Sequence, residues 1–499
     1  MEQDLVIVID CGSTNITISA IDAHGNFITS AGSPNAPAQQ TGCGSSFFIW
    51  DINTIWEKIC GASREVCSAV NPERIKAVIV TTFGADGTFL DKNNNPVYPV
   101  ISWQDTRTED TAEEITGLID PKEIYAITGY NIIRFNTMLR FLWLSKHTPE
   151  IIEKADKYLM MPGLISHKLS GEVSIDSTSA STMMALDMKE RTWSDKMLGL
   201  AGMDSSYFPR WVDPGDTIGT ITRDACSETG FPAGIPVIAG GHDTQFALVG
   251  SGATENEAVL SSGTWEILMG RTKDFSPNDT GFDNGVNIEY DAVPGMYNPQ
   301  MLMMGSGVLE WVRKLFFAKD DSGKGIYDIM ISEAESIQPD SSSLFFCPTF
   351  VSGTGPYQKY NSPGYIYGLN IMTSRGEIYR AALEGLAFQL KSAIEVLNSS
   401  TGFNPGGIRV VGGGSKNMLW NCIRADVTGL PVIVTSQKEI TALGAALFAF
   451  KGIEAFGSIE EAVQNIDFSE EIIEPSGQID IYEKKFQAFL KIPRALGSI

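Results

Sequence analysis

The feature that most limits what this chain can fold into is a pattern that occurs twice. LVIVIDCGSTNITISAI (5–21) reads as an apolar, β-branched strand, a polar glycine turn and a second, alternating strand. About half a chain later, ENEAVLSSGTWEILMGR (255–271) repeats that order in different letters. The chain has 499 residues, and a single hydrophobic core stops growing at about 250–300. Repeat and length together predict a duplicated frame, with a boundary near Ser251–Glu255 and domains over 1–250 and 251–499.

The intervening segments read as a mixture of strands and helices. IKAVIVTTFG (75–84) is a buried strand, and ADGTFLDKNNNPVYPVISW after it a hairpin with KNNN at its tip. Residues 108–170 are expected to be largely helical. GIPVIAGG (234–241) is a strand stopped by glycine, and DTQFALVGSG begins a helix that Asp243 would cap. IRVVGGGSKNMLWNCIRADVTGLPVIV (408–434) reads as strand, glycine turn, helix, strand. ITALGAALFAFKG (440–452) is a helix of small residues able to pack closely, and KDDSGKG (319–325) an exposed loop. The class is α/β.

Charge and cysteine usage exclude several functions. A net charge of −23 argues against general nucleic-acid or anionic-membrane binding, which needs a basic surface. Seven scattered cysteines, four histidines and no CxxC pair argue for reduced thiols and against a zinc site. The start of the chain lacks a basic segment followed by a long apolar core, and no run approaches the roughly 18–20 apolar residues of a membrane helix. A cytoplasmic protein with neither nucleic-acid nor membrane partner is expected.

No P-loop, HExxH, GxSxG or GxGxxG occurs. Four pieces remain that could carry chemistry. DCGST holds Asp10, Gly12, Ser13 and Thr14; SSGT holds Gly263 and Thr264; GGGSKN spans Gly412 to Asn417; GGHDT holds His242, Asp243 and Thr244. A glycine turn between strands presents backbone N–H groups and hydroxyls to an oxygen-rich anion. Two such turns facing each other could hold a polyphosphate without a P-loop lysine. A carboxylate ending a buried strand can orient Mg²⁺. A glycine run opening a helix suits a phosphate or a nucleoside. Each piece alone reads equally well as an ordinary turn, and Asp243 as a plain helix cap.

Taken in order, VIDCGST, GGHDTQFAL, SSGTW and VVGGGSKNMLWNCIRADVTGLPV resemble the FGGY carbohydrate kinases of the actin/Hsp70/hexokinase-like superfamily, over essentially the whole chain. Within that family, VTTFGADGTFLDK, YPVISW, LSSGTWEILM and SGVLEWVRKLF look most like the L-fuculokinase branch, with the rhamnulokinases closest in style. The resemblance implies two actin/hexokinase-like (ribonuclease H-like) domains flanking a cleft, and transfer of phosphate from ATP to a ketose. It implies Asp243 as general base and Asp10 as the residue organising Mg²⁺. Gly12, Ser13, Thr14 and Asn15 would hold phosphates from one side, and Gly263 and Thr264 from the other. Gly412, Gly413, Gly414 and Asn417 would contact adenosine. Gly84, Asp86, His242, Thr244 and Asn298 would line the sugar. Gly84 falls where glycerol kinases carry an Arg-Glu pair, which counts against glycerol. Many members carry Lys or Arg where this chain has Thr17, so a phosphate-neutralising cation is missing there; Arg107 is a candidate substitute, with a surface salt bridge as its alternative. A homodimer is compatible with the resemblance, although no residue identifies an interface. Competing readings are a rhamnulose or xylulose kinase, a sugar and nucleotide sensor without turnover, and an actin- or chaperone-like ATPase, which GGHDT and TTFGADG disfavour.

Overall fold

The computed structural model describes residues 3–44, 46–318, 325–340, 343–351, 353–360 and 363–496. All but the last residue of the loop expected at 319–325 lies outside them.

Two sheets carry the architecture. The first runs in the order Thr217–Thr220, Pro236–His242, Ile75–Thr82, Leu5–Cys11, Asn15–Asp22, Phe27–Pro34. Its Leu5–Cys11 strand pairs antiparallel with the strand after the glycine turn and parallel with Ile75–Thr82. The second runs Asn287–Tyr290, Tyr297–Met304, Trp265–Met269, Glu257–Ser262, Gly407–Val411, Val432–Thr435, Glu470–Ile473. Glu257–Ser262 likewise pairs antiparallel with the strand after its turn and parallel with Gly407–Val411. If the five shared strands of each sheet are numbered along the chain, both sheets read 3-2-1-4-5. This is the duplicated α/β frame anticipated from the repeated hairpin.

Leu5 to Ile9 are fully buried, because helices cover both faces of their sheet. On one face lies Ile52–Ala69, whose N-cap Asp51 accepts from the Asn53 and Thr54 amides and whose Ile55, Trp56, Ile59 and Val66 face the core. The other face takes two helices, Asp243–Gly250 and Ile440–Gly452. The second comes from the far half of the sequence, yet its Leu443 and Leu447 share a core with Val6, Val8 and Ile79. These helices cross almost backbone to backbone. A Cβ at Gly250 would meet the Ile440 carbonyl at 1.8 Å, and one at Gly444 the Phe246 carbonyl at 2.0 Å. The small-residue run at 440–452 therefore serves a close approach, as its sequence suggests.

A second junction matters for the site. The edge strand Asn287–Tyr290 docks on the helical region of the first half: Ile288 N donates to Gly129 O (2.8 Å), and Asn131 N to Asn287 Oδ1 (2.9 Å). That docking carries Glu289 into the first half.

Candidate functional site

The two glycine turns lie at the same end of equivalent strands and share a pattern of exposure. Cys11 and Ser262 are buried, Gly12 and Gly263 half-buried, Thr14 and Thr264 exposed. Their carbonyls are tied back. Asn35 donates from its backbone to Thr14 O and from its side chain to Gly12 O, both at 2.9 Å. In the other turn, Ser306 donates from N (2.9 Å) and Oγ (2.8 Å) to Gly263 O, while Gly305 N and Gly307 N reach Thr264 O. Ser13 stays half-buried and Asn15 exposed; the Asn15 amide donates to Thr17 Oγ1 at 2.8 Å.

The third glycine turn sits against the second. Gly412 and Gly413 are exposed, but a Cβ on Gly414 would lie 2.0 Å from Ser262 Oγ. Gly414 is thus packed under the hairpin where no side chain fits, while Gly412 and Gly413 stay exposed. Asn417 caps the helix Met418–Thr428 by accepting from Trp420 N and donates to Tyr379 Oη. Beneath both turns Arg424 and Glu266, each without exposure, form an ion pair that also takes in Ser262 Oγ.

Asp10 is the penultimate residue of the Leu5–Cys11 strand, and among the described residues its carboxylate has no hydrogen-bond partner. Burial, then the charges of Asp243 and Glu439, push it up to about 8. A partly buried carboxylate short of positive charge, with two further carboxylates in electrostatic reach, fits an Mg²⁺ ion, which favours carboxylate oxygens. Glu439 was not anticipated from the sequence. It is the N-cap of Ile440–Gly452, at the place in the second half that His242–Asp243 holds in the first. Superposing the two halves' grammar would have found it.

Asp243 is not the helix cap expected. His242 is the N-cap, Asp243 the first helical residue, and its side chain keeps 30% exposure. Thr244 Oγ1 donates to it at 3.3 Å. Burial raises Asp243 above the usual carboxylate range, against the pull of His242, whose Nε2 lies 3.5 Å from Oδ1. His242 Nδ1 in turn meets Glu289 Oε2 at 3.0 Å. Burial works against a charged imidazole, but Glu289 first, then Asp243 and Asp176, outweigh it and push His242 up to about 9. Glu289 is 1% exposed and also accepts from Gln245 Nε2 (2.7 Å) and Tyr130 Oη. Although burial opposes its ionised form, these partners hold Glu289 below its ordinary range. The result is an Asp–His–Glu line running from a partly open Asp243 to a buried Glu289, its last member supplied by the far half of the chain. An acid inside the all-buried strand NIEY is the only trace it leaves in the sequence.

Gly84 belongs to this cluster: a Cβ there would lie 3.0 Å from the His242 ring. Asp86 does not. Asp86 is fully buried, and its carboxylate accepts from Arg140 Nη2 (2.7 Å), Trp50 Nε1 (2.7 Å) and Trp103 N (3.0 Å), which tie it into the protein interior. Asn298 is fully buried directly across the strand pair from Glu289 and is hydrogen-bonded to the Gln245 amide that also donates to Glu289. Arg107 is also ruled out as a free cation. Its side chain is enclosed, paired with Asp105 at 2.7 Å and stacked on Phe47, a buried structural bridge rather than a surface one.

Comparison with known proteins bears on these observations. Residues 5–250 match the N-terminal domain of the FGGY family of carbohydrate kinases, and residues 258–453 the C-terminal domain. The chain is 37% identical to the L-fuculokinase of Escherichia coli K12, over 97% of this chain and all of that one. It is 34% identical to the L-fuculokinase of Haemophilus influenzae, over 95% of this chain and all of that one. Among solved structures, ligand-bound xylulose kinase from Lactobacillus acidophilus superposes with a TM-score of 0.90 at 20% identity, covering 99% of this chain and 98% of that one. Among the described residues no helix is long and apolar enough to cross a membrane.

Proposed function

Because the chain belongs to the FGGY family of carbohydrate kinases and is an ATP-dependent sugar kinase, we propose that its acceptor is the ketose L-fuculose, converted to L-fuculose 1-phosphate with Asp243 as general base. Residues 1–250 supply the sugar side, the first phosphate turn and the base; residues 251–499 supply the second turn and the adenosine side. The choice of sugar is supported by the end-to-end match to proteins named L-fuculokinase.

The observation that carries the base assignment is the placement of Asp243. It starts a helix at the end of a sheet strand, stays partly open, and has a charged imidazole at 3.5 Å. A sugar hydroxyl is a poor nucleophile, and phosphoryl transfer depends on positioning and charge stabilisation. A carboxylate within hydrogen-bond reach takes the hydroxyl proton as the new P–O bond forms. The imidazolium of His242 favours the ionised carboxylate that this step needs. The amides and hydroxyls of the two glycine turns hold the polyphosphate. Asp10, with Glu439 behind it, would hold Mg²⁺, which supplies charge neutralisation at the phosphates when bound.

The test is sugar-dependent ADP release with Mg-ATP, offering L-fuculose, L-rhamnulose, D-xylulose and glycerol to the wild type and to Asp243→Asn. Turnover should be greatest with L-fuculose and fall about 10²–10⁴-fold in the variant. Preference for another ketose would overturn the substrate, and near-wild-type turnover in Asp243→Asn would overturn the base.

A further inference from the structure

Both glycine turns are held from behind, but by different means. The second is pinned by the start of the helix Ser306–Phe316, whose N-terminus brings partial positive charge. The first is pinned by Asn35, which ends no helix. Instead, Lys58 Nζ donates to Asn35 Oδ1 at 3.3 Å. Lys58 sits half-buried on Ile52–Ala69, the helix packed on the first hairpin, and forms no ion pair among the described residues. A chain of hydrogen bonds therefore runs from an ammonium through an amide to the Gly12 carbonyl. Bonds in such a chain polarise one another, and a cation at its head turns the amide dipole so that its NH₂ points into the turn. Directly across the strand pair from Asp10 stands Thr17, whose hydroxyl accepts from the Asn15 amide and carries no charge.

We propose that Lys58 is a positioning residue for the nucleotide polyphosphate: acting through Asn35, it fixes the amides of the Gly12–Thr14 turn toward the phosphates and supplies the positive charge that Thr17 does not. This rests on the reading that the first turn holds ATP phosphates.

The experiment separates the two claims. KM for Mg-ATP and KM for the sugar are measured on the full chain for Lys58→Met, Lys58→Arg, the double variant Thr17→Arg/Lys58→Met, and Gly12→Val, which would force a side chain against the Asn15 carbonyl, 2.9 Å from an ideal Cβ. Lys58→Met should raise KM for Mg-ATP about tenfold, the scale of one charge-assisted bond, with the sugar KM within about twofold. Lys58→Arg should retain wild-type KM, and Thr17→Arg should restore most of the loss. An ATP KM raised by Gly12→Val but not by Lys58→Met would overturn the role of Lys58 alone. Equal rises in both KM values, without rescue by Thr17→Arg, would reduce Lys58 to a structural residue and overturn it as well. An ATP KM indifferent to both Gly12→Val and Lys58→Met would overturn the placement of the phosphates themselves.

Discussion

Glu289→Gln isolates the one charge that the second half lends to the base. The substitution preserves shape, and its amide can donate to Tyr130 Oη while its oxygen still accepts from His242 Nδ1 and Gln245 Nε2, so only the charge is lost. Glu289 is the leading reason that His242 rises from 6.5 to about 9. At about 1.4 kcal/mol per pH unit, that difference represents roughly 3 kcal/mol favouring the imidazolium. Without Glu289, burial is opposed only by Asp243 and Asp176, so the imidazolium is less favoured at pH 7. Asp243 then loses part of the pull of a cation at 3.5 Å. It also loses a like charge, Glu289, but that repulsion is weaker than the attraction of His242. The acid limb of kcat/KM for the sugar should therefore move up by about one pH unit. Stability follows the same linkage. A raised histidine stabilises the wild type fully below about pH 6.5, and that contribution fades as pH rises through about 9. The variant should melt lower than the wild type at pH 6 and close the gap by pH 9.5. An acid limb that stays in place, in a variant that melts cooperatively, would refute the argument that His242 sets the ionisation of Asp243.

Asp10 gives a prediction of the opposite kind. Its folded value near 8 lies above the ordinary 3.8, so without a cation the wild type should lose stability as pH rises from about 4 to about 8. Asp10→Asn should melt higher than the wild type at pH 8 without Mg²⁺, and Mg²⁺ should raise the melting temperature of the wild type but not of the variant, as thermal scans would show. Gly444→Val places a branched side chain where even a Cβ meets the Phe246 carbonyl at 2.0 Å. Overpacking of this kind should cost about 3 kcal/mol or more, seen as a lower denaturation midpoint.

What the sequence made legible was local. Asp10 and the two glycine turns are visible because strand, turn and strand follow one another along the chain, and the turn chemistry is written in adjacent letters. The same is true of GGGSKN and the helix after it. The surroundings of Asp86 were not legible because its partners are distant: Arg140 is 54 residues away, and nothing in TTFGADG announces that the carboxylate is buried in an ion pair. The same holds for Asn298, whose partner Gln245 is 53 residues away. Glu289 escaped notice because its meaning arises only when an edge strand of one half docks on the helices of the other. The cap assignment for Asp243 erred by one residue, yet that residue decides the chemistry. As N-cap, the carboxylate would be spent on its own helix; as the first helical residue it faces outward with 30% exposure.

The duplication itself explains why the charge sits where it does. In the shared strand order, Asp10 of the first sheet corresponds to Ser261 of the second, since each stands two residues before the turn glycine and pairs across both neighbours in the same way. The second turn rests on Arg424 and Glu266, a buried pair that cancels its own charge. The first rests beside an unpaired acid that two other carboxylates make costlier still to ionise. A polyphosphate spanning both turns meets neutral donors on one side and, on the other, repulsion that donors alone do not offset. Lys58 acts on that side only through Asn35, so a divalent cation beside Asp10 is what offsets the repulsion, and requirement for the metal and asymmetry of the two halves are one property. It follows that ATP without Mg²⁺ should bind more tightly to Asp10→Asn than to the wild type, and ATP with Mg²⁺ less tightly. Calorimetric titration of both proteins with and without the metal reads this reversal, and the same order of affinities under both conditions would show that Asp10 does not face the phosphates.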